Sequence, residues 1–207
     1  MLTQRFKMTY PQFFEKIPTI KLQDELASFL GAFEDGIIEF SYLDIVKSAG
    51  HSCPTVLGAY LMTKEGLKAL YENELPKRGQ IIVEFKETQN IGVAGVIGNV
   101  IMNITGAATT NGFKGISGKF DRNHLMKFEQ DINGASVRFT RVDTQQSVDV
   151  FYDASSIKAH EDMNFLMQKS FQGSASKEEK IEFGKLWQQR VEDISNNISE
   201  VIKVNLL

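Results

Sequence analysis

The chain of 207 residues has one cysteine, three histidines, four prolines and one tryptophan. A single thiol excludes an intrachain disulfide framework and any zinc finger built on cysteine alone. Neither sign of charge is in excess: 23 Lys and Arg stand against 26 Asp and Glu, a net of −3. This lacks the basic surplus of a dedicated nucleic-acid binder, and no nucleic-acid partner is expected. Long apolar runs are missing too. The most apolar stretch, 91–104, contains Asn99 and Asn103 and, at about fourteen residues, is too short to span a bilayer as a helix. Residues 1–20 mix Arg5, Lys7, Glu15 and Lys16 among apolar residues, without the uninterrupted apolar segment of a signal peptide. The expectation is a cytoplasmic protein with no membrane partner. What the chain does have is 15 Phe and a 42% hydrophobic content, ample for a packed core and incompatible with a disordered chain.

The pattern predicts helix over 11–33, interrupted at Pro18 and cleaner from Lys21. Phe13, Phe14, Ile17, Ile20, Leu22, Leu26, Phe29 and Leu30 recur there at helical spacing. A short strand is expected over 37–40, then a short helix over 41–47 with Ser41 and Asp44 as its capping pair. Gly50 breaks the chain, and a helix starts at Pro54, because proline suits the first helical position where its missing N–H would be unpaired anyway. A strand at 81–85 precedes a buried helix within 91–104 that opens near Val93, and 105–118 is a loop of small residues. Strands follow over 125–128, 135–142 and 147–152, with Asn133-Gly134 as a hairpin signal. Helices are expected over 155–171 and, after a Ser176/Glu179 capping box, from 177 to about 201. Trp187, Val191, Ile194, Ile198 and Val201 share one face of the last helix, as core or dimer contacts.

The chemistry concentrates in Gly50-His51-Ser52-Cys53-Pro54. The lone cysteine sits just before a helix start, where backbone N–H groups and the helix dipole favour a thiolate. His51, two residues away, can pair with the sulfur or share a metal with it, and thiolate plus imidazole suits zinc. The plainer reading makes Cys53 a small buried residue and His51 a loop residue. Two ligands are also fewer than the three protein donors a zinc site normally takes; His124, His160 or carboxylates would have to supply the rest. A second candidate is the loop at 105–112, where Thr105, Gly106, Thr109, Thr110 and Asn111 offer hydroxyls and backbone N–H groups. Such a loop cradles an anion or cofactor when its N–H groups converge, and is merely a tight connection when they do not. It lacks the P-loop spacing, and Gly92-x-x-Gly95-x-x-Gly98 is not a dinucleotide fingerprint.

The run Ser41-Tyr42-Leu43-Asp44-Ile45-Val46-Lys47-Ser48-Ala49-Gly50-His51-Ser52-Cys53-Pro54, followed by Gly58-Ala59-Tyr60, resembles the opening of the FmdE-like family, named after the FmdE component of formylmethanofuran dehydrogenase. That opening is a short amphipathic helix, then Gly-His-x-Cys-Pro, then a helix with Gly and Tyr in its first turns. The stretch 96–104, with Thr105-Gly106-Ala107-Ala108 and Asn111-Gly112-Phe113-Lys114-Gly115 after it, is similar to a second family segment. There the family has Cys-x-x-Asp-Ala-Ile-Gln, Thr-Gly-Cys-Thr and a Gly/Asn-rich loop. The resemblance covers 37–152. It implies an α+β fold, an antiparallel sheet packed against helices, with N- and C-terminal helices added at 1–36 and 172–207 around a core of 37–171. It also implies a homodimer, and a cleft between the His-x-Cys-Pro helix start and the Thr-Gly loop that often holds a divalent metal, zinc before others.

Carried over residue by residue, only His51 and Cys53 keep the motif's chemistry. Val96 and Ala107 stand where the family has its later cysteines, Asn99 where it has Asp, and Ala49 where a His often precedes the motif. A dithiol redox role within one chain is thereby excluded, since exchange needs a second sulfur. Three function classes remain. The first is a metal- or cofactor-binding protein with a small-molecule ligand, the cofactor being zinc or, with His51 or Cys53 as axial ligand, haem, or else a pterin. The second is an enzyme with Cys53 as nucleophile and His51 as base. The third is a dimeric interaction module with a vestigial cleft.

Overall fold

Pro18 stops the first helical run, and the chain after it is extended. The computed structural model describes residues 8–207; residues 1–7 of the expected N-terminal extension lie outside them. Gln12–Lys16 form a 3-10 turn that buries Phe13 and Phe14. β1 (Ile20–Gln23) then alternates buried and less buried residues. The helix expected from Lys21 is thus a strand followed by a five-residue helix, α1 (Glu25–Phe29), which Asp24 caps by accepting the N–H groups of Leu26 and Ala27. β1 pairs antiparallel with β2 (Ile37–Phe40), Ile20 opposite Phe40. Those backbone partners come from a remote segment, and pairing of that kind overrides local periodicity.

α2 (Tyr42–Ala49) opens on the Ser41/Asp44 capping box and ends at Gly50, whose φ of 77° is the left-handed conformation that glycine adopts without strain. α3 (Pro54–Tyr71) is the central helix and is buried along most of its length. After it come β3 (Ile81–Glu84), α4 (Ala94–Thr105), the small hairpin β4 (Lys114–Ile116) and β5 (Lys119–Asp121), then β6 (Met126–Lys127), β7 (Val137–Arg141) and β8 (Ser147–Tyr152). The chain closes with α5 (Met163–Phe171), α6 (Lys177–Asn196), α7 (Ile198–Val201) and β9 (Ile202–Leu206). Five strands form one sheet in the order β6-β3-β7-β8-β9, antiparallel throughout except for the β3–β6 pair. α3 lies against this sheet and α4 against α3. The fold is α+β.

Three sequence expectations are corrected. Asn133 and Gly134 both have positive φ, as a tight turn requires, yet they join no hairpin. β6 and β7 lie on opposite sides of β3 and never meet. Residues 155–162 are not helical, because α5 begins only at Met163, and His160 therefore lies in an exposed connection; that stretch has little besides Ile157 to pack. The terminal helix breaks at Asn197; Ile198 and Val201 stay helical in α7, and the chain beyond them, β9, completes the sheet beside β8. Among the described residues no helix is long and apolar enough to cross a membrane.

Tyr152 leaves the end of β8 and crosses α3 at Gly58, where a Cβ would stand 2.4 Å from the tyrosine ring. Overpacking of this kind costs about 1–3 kcal/mol, against about 1 kcal/mol gained in helix propensity. The ring has no free end to move aside, so the clash should win. Gly58→Ala is expected to lower the thermal midpoint by a few degrees, roughly 2–4 °C per kcal/mol at this size. An unchanged or raised midpoint in calorimetry would show that the ring moves freely.

Candidate functional site

Only three residues separate Gly50, which ends α2, from Pro54, which begins α3. In that short turn the His51 ring reaches back toward both flanks. Its Nδ1 lies 3.1 Å from the carbonyl oxygen of Ala49, and its Nε2 lies 3.4 Å from Cys53 Sγ. A carbonyl can only accept, so Nδ1 carries a proton and donates, and the opposite nitrogen faces the sulfur. Sγ also accepts the Val56 N–H at 3.4 Å, so Cys53 caps α3 where serine or aspartate more often stands. The structure thus brings the two motif residues together.

The turn is held from outside by four hydrogen bonds. The Ser52 carbonyl accepts Trp187 Nε1 at 3.0 Å and Gln188 Nε2 at 3.2 Å, both from α6. The Ser52 hydroxyl bonds the Tyr42 hydroxyl at 2.9 Å, and Tyr152 donates to the Pro54 carbonyl at 2.8 Å. Burial pushes the Tyr152 phenol up to about 12 and the Tyr42 phenol well above its ordinary value. Both therefore stay neutral and keep their protons at ordinary pH. Trp187, expected as a core or dimer contact, does pack against the core and is also a clamp on the His51–Cys53 turn. Nothing local could have revealed this, since the partners lie 135 residues apart.

His51 borders a hollow of about 390 Å³ whose other wall is α4, through Val96, Asn99, Val100 and Asn103. Val96 and Asn99, which stand where the resemblance places a cysteine and an aspartate, therefore line the same hollow as His51. Ala107, at the remaining cysteine position, is fully buried away from it. Thr105, Gly106, Thr109, Thr110 and Asn111 do not line it either. The reason is Gly106, which ends α4 in a left-handed turn and sends the chain toward Arg78 and Arg122. Thr105 is buried, with its hydroxyl on the Ile101 carbonyl and the Ala107 N–H. The N–H groups of Ala108 and Gly112 go to Arg122 and Asn123. Thr109 bonds Asn111, and Thr110 and Asn111 are exposed. The N–H groups of Ala107, Ala108 and Gly112 are thus spent on the chain itself.

Among the described residues no group of three or more His, Cys, Asp and Glu side chains could hold a metal ion. His124 and His160 are exposed and take no part. Among the described residues the donors brought together at this turn are therefore two, His51 and Cys53. That set is two short of a closed structural zinc site, which takes four protein ligands, and one short of the three that an open site usually has, so a cation here needs its other positions filled from elsewhere.

Sequence reasoning missed a second polar centre. Asp24, almost wholly buried, binds Arg78 Nη1 through Oδ2 at 2.8 Å and Arg122 Nη2 through Oδ1 at 2.7 Å. Arg78 also donates to the carbonyls of Ile104 and Asn103 at the end of α4. Gly79 makes room for this centre: it has a φ of 80°, and a Cβ on it would lie 1.5 Å from Arg122 Nη1. Asp24 is 54 residues from Arg78 and 98 from Arg122, so no sequence spacing announces the cluster.

No curated protein matches the chain. Among solved structures, a tungsten formylmethanofuran dehydrogenase FmdE-like protein from Syntrophus aciditrophicus is 15% identical, with a TM-score of 0.41 over 81% of this chain and 72% of that one. A family model described as FmdE, molybdenum formylmethanofuran dehydrogenase operon, matches residues 49–203, from the turn before His51 through the sheet to β9. With well over half of its length matched, the chain belongs to the FmdE family.

Proposed function

We propose that the protein is a metal-binding member of this family, holding one divalent cation, by donor chemistry zinc, between His51 Nε2 and Cys53 Sγ. Water, a small molecule in the adjoining hollow or a second copy of the chain supplies the remaining positions. The observation that carries this reading is the 3.4 Å separation of Nε2 and Sγ while Nδ1 is bonded to the Ala49 carbonyl. Ligating histidines commonly tie their other ring nitrogen to a carbonyl or carboxylate, which fixes the tautomer and aims the lone pair. Two donors on one tetrahedral zinc stand about 3.5 Å apart, given the usual Zn–N and Zn–S lengths. The four hydrogen bonds to Ser52 and Pro54 keep both donors in place. A bound cation would polarise an oxygen of whatever ligand enters the hollow. The dehydrogenase in the family's name is not carried over, since shared fold does not transfer a reaction.

Metal analysis of protein purified without a histidine tag tests the proposal. Close to one divalent metal per chain is expected after zinc titration, and its loss in both Cys53→Ala and His51→Ala. Cobalt loading should give a thiolate-to-metal charge-transfer band that Cys53→Ser removes. The single tryptophan, bonded to the Ser52 carbonyl, should change its emission during the titration. Protein that stays metal-free, or that keeps its metal in Cys53→Ala, overturns the reading and leaves a thiol–imidazole hydrogen bond in its place.

A further inference from the structure

A second hollow, of about 520 Å³, lies between α1, the turn after it, β2 and α2. Ser48 and Asn103, hydrogen-bonded to each other at 2.7 Å, line both this hollow and the one at His51. Its size falls within the ordinary range for small-molecule sites. Leu26, Leu30, Phe33, Ile38 and Phe40 make its walls largely apolar, and Leu30 and Phe33 form an exposed apolar rim.

Into this apolar cup the fold sets one fixed cation. The Arg78 guanidinium spends three of its five N–H donors on Asp24, Asn103 and Ile104 and lies 5.8 Å from the centre of the Phe40 ring. Its side chain keeps 22% of its surface exposed. Asp24 cannot neutralise it alone, because the same carboxylate binds Arg122. Arg122 is only 7% exposed, and its Nε and Nη1 have no hydrogen-bond partner among the described residues. One carboxylate thus serves two guanidinium groups. Asp44, the other acid on the lining, is turned onto the Ser41 N–H and hydroxyl and onto Lys47. Glu25 adds its charge to Arg122 through space, while among the described residues Arg78 is ion-paired with Asp24 alone, so the positive group that faces the hollow is Arg78.

We propose that this hollow binds a small amphiphilic carboxylate, with its anionic head on Arg78 and its chain or ring against Leu30, Phe33 and Phe40. The site is independent of any metal at His51. Titration calorimetry of the full chain with sodium octanoate, against 1-octanol and octylammonium chloride, tests it. Saturable binding of one octanoate per chain is expected, about tenfold or more tighter than octanol, as one charge-assisted hydrogen bond provides. Octylammonium should not bind. Arg78→Gln should weaken octanoate by a similar factor. Ala32→Trp should do the same by filling the mouth of the hollow, and Ala32 is exposed and outside the Asp24 cluster, so this variant decides the matter if Arg78→Gln fails to fold. Absence of octanoate binding, octanol binding as tightly, or octanoate binding unchanged in Ala32→Trp each overturns the proposal.

Discussion

Replacing Asp24 by alanine is expected to cost about 3–5 kcal/mol of stability, the range for a buried ion pair that loses one partner. For a chain of this size that is a fall of roughly 6–20 °C in the thermal midpoint. The substitution removes the counter-charge of two guanidinium groups at once, one of them almost fully buried. It also removes the cap of α1, worth about 1 kcal/mol. Asp24→Asn keeps a capping oxygen and loses only the charge, so it should fall between the two. The pH dependence separates charge from packing. Burial pushes the Asp24 carboxyl up, but the Arg78 hydrogen bond, the Arg122 charge and the Ala27 N–H together outweigh it and hold the carboxyl below the ordinary range. A carboxyl lowered on folding contributes stability that is fully present above its unfolded value, about 4, and is lost as pH falls through the lower native value. The gap between wild type and Asp24→Asn should therefore be widest near neutrality and narrow below pH about 4. A gap that stays constant into acid would mean that the charge contributes nothing and shape contributes all.

How much of this was legible in the sequence depends on how far each cause reaches. Ser41 with Asp44, Gly50, Pro54 and the Ser176/Glu179 box act within four residues, and each stands at the helix end where the structure has it. β1 reads as helix because its apolar residues satisfy helical spacing too, and β9 lies just past the end read for the last helix. What makes them strands is an edge waiting elsewhere, β2 for one and β8 for the other. The Asn133-Gly134 turn has the right backbone and the wrong neighbours, since no local signal says that β3 lies between β6 and β7. The site divides in the same way. The nearness of His51 to Cys53 follows from two residues of separation and a sharp turn. The orientation of the ring depends on the Ala49 carbonyl, and the rigidity of the turn on Trp187, Gln188, Tyr42 and Tyr152. The first of these is a backbone atom that no sequence motif encodes, and the others arrive from distant elements. Arg122 carries no local signal of its role, because its carboxylate partner lies 98 residues away.

Val96→Cys is expected to tighten zinc binding by about tenfold or more, since even the outer partners of metal ligands are worth about 10–100-fold. Val96, Asn99 and Asn103 follow one another along a single face of α4, at spacings of three and four residues. All three line the hollow that His51 borders from the other side. A thiolate at Val96 would add a third soft donor to the imidazole and the Cys53 sulfur, raising the site from two protein ligands to the number typical of open zinc sites. Asn99→Asp in the same chain would offer a fourth, with a charge that favours a dication. Competition against a chromophoric chelator under reducing conditions measures the change, and the cobalt charge-transfer band should intensify with the second sulfur. Val93→Cys is the control: Val93 is exposed in front of α4 and does not line this hollow, so its thiol should leave the affinity unchanged. If Val96→Cys binds no more tightly than wild type, α4 does not reach the cation and the remaining ligands must come from outside the chain. If only the variant binds metal at all, the natural sequence has exchanged the metal for a hollow lined by neutral side chains. His51 and Cys53 are then left as a hydrogen-bonded pair beside it.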